Sequence, residues 1–218
     1  MENRNSMADE LLAFLRTRKK ANLTIAAVNI LVFIIAAVSE RITGTQTLMR
    51  LGTAYTPYIL EGQYYRLVTA MFLHFGLAHL ANNMICMLFI GDMVETAVGP
   101  VRYLVVCLGG GLLGNLCSMW WELRTGRFAF SAGASGCVFA LIGAMLVLMA
   151  GARRIGAGSL VRRFALLAGL SVAQGFTQAG TDNAAHIGGL AGGIILMVIM
   201  RAAAIAKHRN QRQGRSMK

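Results

Sequence analysis

A series of long apolar windows without Asp, Glu, Lys or Arg constrains this chain more than any other feature. Six windows occur: Ala21–Ser39, Leu67–Gly91, Tyr103–Trp121, Phe128–Ala152, Phe164–Thr181 and Asn183–Met200. Roughly 20 apolar helical residues cross a bilayer core of about 30 Å, so each window is about long enough to span it. We therefore predict an all-α membrane protein with six transmembrane helices in residues 21–204. A basic N-terminal segment (residues 1–20) precedes them, and a basic tail (residues 205–218) follows.

The composition excludes an ordinary soluble enzyme. Of the 218 residues, 56% are apolar and 14% are charged, whereas soluble domains carry about 25% charged residues. The four cysteines lie inside predicted spans and form no CxxC pair. We interpret them as small packing residues rather than a disulfide framework or metal site, and we predict no metal and no cofactor.

The distribution of cations predicts the orientation. Six spans place both ends of the chain on one side, and 16 of the 21 Lys and Arg residues fall on that side. Cations concentrate in cytoplasmic loops, so we expect a multi-pass protein of the cell membrane with both termini cytoplasmic. Attraction to anionic headgroups of the bilayer explains the net charge of +12. No nucleic acid is expected as a partner, because the cations flank spans instead of forming a groove with interleaved aromatics.

Polar residues break the apolar pattern in three places, and the first opens span two. His74, His79 and Asn83 lie there, and His79 and Asn83 share a helical face because they are four residues apart. Two such donors can point at one developing charge. Either histidine alone is better explained as an interfacial residue, whereas the cluster favours a functional site.

The second place opens span four, and the third opens span six. Gly133 and Gly136 flank Ser135, so the backbone can turn sharply and a ligand can approach closely. Taken alone, this motif is better explained by helix capping and close packing. In span six, Gly189 and Gly193 form a GxxxG ridge with His186 on roughly the same face. A structural histidine beside a packing ridge is the alternative there.

The predicted topology brings these three places to one depth. Spans two, four and six all run from outside to inside, so His79, Ser135 and His186 should lie near the outer face. A nucleophile needs an adjacent base and donors aimed at the oxyanion, and these residues can supply those roles. We expect Asp182 in the outer loop, where it does not obviously complete a triad, so a Ser–His dyad is the more economical interpretation.

In their order and placement, these motifs resemble the rhomboid family of intramembrane serine proteases in its basic six-span form. The motifs are His74-x4-His79-x3-Asn83, Gly133-Ala134-Ser135-Gly136 and Ala185-His186-x2-Gly189-x3-Gly193. The resemblance covers nearly the whole chain, from span one to span six. It implies a helical bundle around a wet cavity that opens to the outside.

The resemblance also implies a role for each matching residue. Ser135 would be the nucleophile and His186 the general base, then acid. His79, Asn83 and the backbone amide of Ser135 would form the oxyanion hole. The remaining matches would support the site: His74, Gly133, Gly136, Gly189, Gly193, Arg66 in the Tyr65-Arg66 element, and Phe139 where the family often has Tyr.

The implied activity is endoproteolysis of single-span membrane proteins near the outer face. One alternative is a catalytically inactive relative that binds membrane proteins without cutting them. Another is a metal site or transport path built from the histidines. The absence of HExxH, and of internal repeats or charged midplane helices, argues against that second alternative. The sequence does not determine the natural substrate or the oligomeric state.

Overall fold

The computed structural model describes residues 17–43, 46–150, 162–163, 166, 169–170, 173 and 180–216. Helices dominate this part of the chain. In order they are α1 (Lys20–Thr43), α2 (Thr47–Leu51), α3 (Thr56–Leu60), α4 (Arg66–Thr69), α5 (Leu77–Val98), α6 (Pro100–Thr125), α7 (Ser135–Ala150) and α8 (Asn183–Ser216). A 3₁₀ turn, Ala70–Phe72, follows α4, and α5 contains a π-helical turn at Met87–Gly91.

Four stretches are long and apolar enough to cross a membrane: Lys20–Ser39, Leu77–Val98, Pro100–Thr125 and Asn183–Ala206. The shorter α7 is also apolar. The predicted all-α membrane architecture is therefore confirmed. The predicted fifth span, Phe164–Thr181, lies almost entirely outside the described residues, so the count of six stays a prediction.

The predicted starts of spans two and four were wrong. The helix of span two begins at Leu77 rather than Leu67, and that of span four begins at Ser135 rather than Phe128. Charge-free sequence can leave the helical conformation where its backbone groups find other partners. Leu73 is extended, and Gly133 has a φ of +139°, a value that continues no helix. As a result, the residues just before Leu77 and those just before Ser135 form irregular backbone at the same end of the bundle.

Helices α6, α7 and α8 pack at very short range because glycines face one another. A β-carbon on Gly193 would collide with the carbonyl oxygen of Ala140, and one on Gly110 would collide with the Ala140 side chain. Small residues permit such backbone approach in membranes, where dispersion and shape replace the hydrophobic effect. The GxxxG ridge of α8 therefore packs on α7, the helix that begins with Ser135.

Two carboxylates of α5 cap the start of α1. Glu95 accepts from the backbone N–H of Asn22 (2.8 Å), and Asp92 accepts from the Asn22 side chain (2.7 Å) and pairs with Arg18 (3.1 Å). The buried Tyr103 donates its hydroxyl to Asn22 Oδ1 at 2.7 Å. These bonds satisfy N–H groups that a helix start leaves unpaired, and they tie α1 to α5 and α6.

Candidate active site

Ser135 and His186 contact each other across the α7–α8 interface. The Oγ of Ser135 lies 3.0 Å from Nε2 of His186, which is within the hydrogen-bond reach that a nucleophile and its base require. Each residue lies in the first turn of its helix. The first N–H groups of a helix have no intrahelical acceptor, so the backbone amide of Ser135 is positioned as a donor beside its own hydroxyl.

Backbone hydrogen bonds hold Ser131, Gly133 and Ala134 in the segment that precedes Ser135, called the pinned segment below. Ser131 and Ala54 exchange backbone hydrogen bonds of 2.8 and 2.9 Å in an isolated antiparallel bridge. The N–H of Gly133 donates to Ala70 O at 2.9 Å, and the N–H of Ala134 donates to Nε2 of His74 at 3.4 Å. Residues 46–76, between α1 and α5, are called the connector below. Its residues Ala54, Ala70 and His74 thus hold the backbone that leads into Ser135.

His79 and Asn83 lie against this same segment. A β-carbon on Gly133 would stand 2.8 Å from the His79 ring and 3.6 Å from Nδ2 of Asn83. The φ of +139° at Gly133 is costly for any residue with a side chain. Both the space and the backbone therefore require glycine. Nδ2 of Asn83 is buried, and none of the described residues accepts a hydrogen bond from it.

The imidazole of His186 is held by an aromatic stack rather than by an acid. The ring of Phe139 stacks on it with centroids 4.4 Å apart and planes 12° apart. Nδ1 of His186 is buried, and none of the described residues hydrogen-bonds to it. Within the described part of the chain, the ring of His186 therefore contacts the hydroxyl of Ser135 on one side and the ring of Phe139, which has no hydroxyl, on its face.

Close helix packing fixes the distance within the pair. Gly189 faces Gly136, and a β-carbon on Gly189 would lie 3.2 Å from Cα of Gly136 and would overlap its carbonyl oxygen. Gly136 follows Ser135, and Gly189 is one turn beyond His186. Gly193 extends the same ridge to Ala140. All three glycines therefore lie in the α7–α8 interface that brings Ser135 and His186 together.

Arg66 lies in the connector, away from the pair. Its side chain is buried and donates to Gln63 Oε1 (2.7 Å) and to the carbonyl oxygens of Met49 and Thr53 (both 2.9 Å). The Tyr58 ring lies 5.0 Å from the guanidinium carbon. The planar guanidinium group holds its N–H donors in a fixed arrangement, which suits a site with several oxygen acceptors. Arg66 thus stabilises the connector from within. The connector in turn holds the segment before Ser135 through Ala54, Ala70 and His74.

The histidines do not form a metal-ligand cluster in the described residues. His74 and His79 have ring centroids 5.0 Å apart, whereas His186 contacts Ser135. Burial, and secondarily the proximity of His79, lowers the pKa of His74 to about 4. His74 is therefore neutral near pH 7, which leaves Nε2 free to accept from Ala134.

Sequence reasoning missed the part that Asp182 plays. No hydrogen bond joins the carboxylate of Asp182 to Nδ1 of His186. Asp182 caps α8 through Ala185 N–H (2.9 Å), and its Oδ2 accepts from the hydroxyls of Ser118 (2.6 Å) and Ser131 (2.8 Å). An Asp directly before a predicted helix is a recognisable N-cap signal, but nothing in the sequence indicates the two serines as its partners.

A bundle of apolar helices with a serine and a histidine in contact at two helix starts defines a class: a multi-pass membrane protein with a serine–histidine pair between two helices. The rhomboid domain profile matches residues 61–203, which include every residue of the site. The chain belongs to the rhomboid family, and the resemblance stated from its motifs is confirmed.

Relatives from bacteria and plants agree with this assignment. The chain is 33% identical to Rhomboid protease GluP of Bacillus subtilis (strain 168) over 77% of its own length and 32% of that protein. It is 34% identical to RHOMBOID-like protein 7 of Arabidopsis thaliana over 70% of its length and 48% of that protein. It is 28% identical to Putative rhomboid protease YdcA of Bacillus subtilis over 66% of its length and 71% of that protein. The chain thus spans less than half the length of each of the first two relatives.

Proposed function

We propose that this protein is an intramembrane serine endopeptidase that cleaves single-span membrane proteins near the outer face of the cell membrane. The observation that carries the proposal is the 3.0 Å contact between Ser135 Oγ and His186 Nε2. Family membership supports it, since relatives that cover most of this chain are named as rhomboid proteases.

In the first half of the reaction, Nε2 of His186 takes the hydroxyl proton of Ser135 as Oγ attacks the scissile carbonyl carbon. The carbonyl oxygen becomes an oxyanion. When the tetrahedral intermediate collapses, the C–N bond breaks and His186 returns its proton to the leaving amine. An acyl-enzyme ester on Ser135 remains.

Three donors would stabilise the oxyanion: Nδ2 of Asn83, the ring of His79 and the backbone N–H of Ser135. Asn83 supports this role because its buried Nδ2 has no hydrogen-bond acceptor among the described residues, and burying a donor unpaired costs about 1–3 kcal/mol. A donor kept unpaired is preorganised for charge that appears only in the transition state. The positive end of α7 adds a favourable field at Ser135.

In the second half, a water molecule attacks the ester while His186 takes its proton. The acid product leaves, and Ser135 regains its hydrogen from His186. Since the bilayer core holds no water, this step requires access from the outer side. The substrate helix must also unwind locally, because the carbonyls of an intact helix are already hydrogen-bonded.

The membrane topology belongs to the same proposal. Six spans in residues 21–204, with residues 1–20 and 205–218 in the cytoplasm, would place the pair at the outer face. Reporter fusions after residues 43, 125 and 216 test this arrangement. The first two should report the outer compartment and the third the cytoplasm, and a reversed pattern would contradict it.

The test of activity joins a fluorophosphonate probe with cleavage of single-span substrates in liposomes. The probe should label wild-type protein at Ser135, and labelling and cleavage should both vanish in Ser135→Ala and His186→Ala. His208→Ala is a matched control, since His208 follows the last spanning stretch and should leave both readouts unchanged. Folded wild-type protein that binds substrate but neither labels nor cleaves would instead identify an inactive membrane-protein-binding relative.

A further inference from the structure

Asp182 joins the three elements that surround the Ser135–His186 pair. Its side chain is partly buried at the start of α8. One carboxylate oxygen accepts from α8 itself, and the other accepts from α6 and from the segment that leads into α7. Among the described residues outside the pair, it is the polar side chain that connects both halves of the pair most directly.

The first connection fixes His186. Oδ1 of Asp182 accepts from Ala185 N–H at 2.9 Å, and its backbone oxygen accepts from His186 N–H at 3.1 Å. The side chain therefore caps the helix at its third residue, as an N-cap Asp does. His186 lies in that capped first turn, so the cap fixes the position of the backbone from which the imidazole extends.

The second connection fixes Ser135. Oδ2 of Asp182 accepts from Ser131 Oγ at 2.8 Å, and Ser131 lies four residues before Ser135 in the pinned segment. The same oxygen accepts from Ser118 Oγ of α6 at 2.6 Å, so the carboxylate is itself held from a third direction. One charged group thereby locates both the nucleophile and the base relative to α6.

We propose that Asp182 is a positioning residue for the proposed peptide-bond hydrolysis, holding Ser135 and His186 at reacting distance through Ser131 and the α8 cap. The inference rests on the proposed protease function. Asp182 is not a triad acid, because both of its oxygens are engaged elsewhere and Nδ1 of His186 has no partner among the described residues.

The experiment compares Asp182→Ala with Asp182→Asn in liposomes at full substrate titration. Misplacing reacting groups by about 1 Å costs about 100-fold in rate. Asp182→Ala should therefore lower kcat by about 10- to 100-fold and leave KM within about twofold. The rate of fluorophosphonate labelling at Ser135 should fall by a similar factor. Asp182→Asn should stay within about fivefold of wild type, because Asn also caps helices and its amide can donate to the serine oxygens.

A double-mutant cycle adds a direct test of the link to Ser131. Ser131→Ala alone should lower kcat by about 3- to 10-fold, and it should have little further effect in the Asp182→Ala background, since both changes break one interaction. Ser131→Ala also keeps the inference testable if Asp182→Ala does not fold. Wild-type kcat in Ser131→Ala, or additive losses, would overturn the link.

Asp92 provides the matched structural control. It too is a carboxylate that caps a helix start and accepts from a side chain, but at α1, far along α5 from His79. Asp92→Ala should lower the melting temperature without changing kcat per folded molecule. If Asp182→Ala behaves in the same way, or if Asp182→Asn is as impaired as Asp182→Ala, the positioning role is refuted. A wild-type protein that neither labels nor cleaves would instead refute the protease function.

Discussion

Replacing Gly189 by alanine should separate the reacting pair without touching either member. Gly189 lies against Gly136, and a β-carbon there would stand 3.1 Å from the carbonyl carbon and 3.2 Å from Cα of Gly136. Carbon atoms in contact normally lie about 3.5–4.0 Å apart. The atoms opposing the new methyl group are backbone, so they cannot rotate away, and α7 and α8 must move apart by about 0.5–1 Å.

The consequence for catalysis follows from the position of the two glycines. Gly136 adjoins Ser135, and Gly189 is one turn from His186, so the separation passes almost directly to the 3.0 Å contact between Oγ and Nε2. A widened contact of about 3.5–4 Å exceeds the reach of about 2.6–3.2 Å that proton transfer needs. We expect kcat to fall by about 10- to 100-fold.

The effect on stability should be smaller than the effect on rate. Overpacking costs about 1–3 kcal/mol, and replacing a helical glycine by alanine returns about 0.5–1 kcal/mol. Cleavage in liposomes, the rate of fluorophosphonate labelling and thermal melting monitored by circular dichroism should be measured on the same preparations. The predicted signature is a large loss of kcat with only a modest drop in melting temperature.

Gly109→Ala is the matched control for this substitution. Among the described residues, its β-carbon would meet only the flexible end of the Leu196 side chain, at 3.3 Å, so activity should be retained and stability should not fall. If Gly189→Ala cleaves and labels at wild-type rates, the α7–α8 approach does not set the geometry of the pair, and the reasoning is refuted.

Three further predictions concern other parts of the molecule. Asn83→Ala should lower kcat by about 100- to 1,000-fold with little change in KM, as loss of an oxyanion donor does; retained kcat would exclude that role. The folded pKa of His74 is about 4, below the ordinary value of about 6.5, so the unfolded chain binds the extra proton. Stability should therefore decline as pH falls from about 6.5 to 4, and unfolding titrations should show a flatter profile for His74→Gln. Tyr103→Phe removes the 2.7 Å bond to Asn22 and should cost about 1–3 kcal/mol of unfolding free energy in detergent, with kcat of the folded protein unchanged.

Much of the architecture could be predicted from the sequence because the bilayer leaves few options. Apolar windows of this length must satisfy their backbone groups internally, so they must be helices. The same constraint makes a buried polar residue conspicuous, and for this reason the sequence alone singles out His79, Ser135 and His186. Their placement at helix starts on one end of the bundle also follows from topology alone.

The helix boundaries could not be predicted from charge-free windows. Leu67–Gly76 and Phe128–Ala134 contain no Asp, Glu, Lys or Arg, yet they form short helices and extended backbone. Backbone groups of the two segments pair with each other where the N–H of Gly133 donates to Ala70 O. Such pairing joins distant parts of the chain, so it cannot be predicted from the local composition.

The sequence by itself determined the class of fold and singled out Ser135 and His186 as candidate reacting residues, because hydropathy and the exclusion of polar groups from lipid act locally along the chain. Only the tertiary structure decided the distance between Ser135 and His186, the stacking of Phe139 on the base and the partners of Asp182. Each of these depends on how closely two backbones approach. That approach is set by which glycines of different helices face each other, a relation that one-dimensional spacing does not contain.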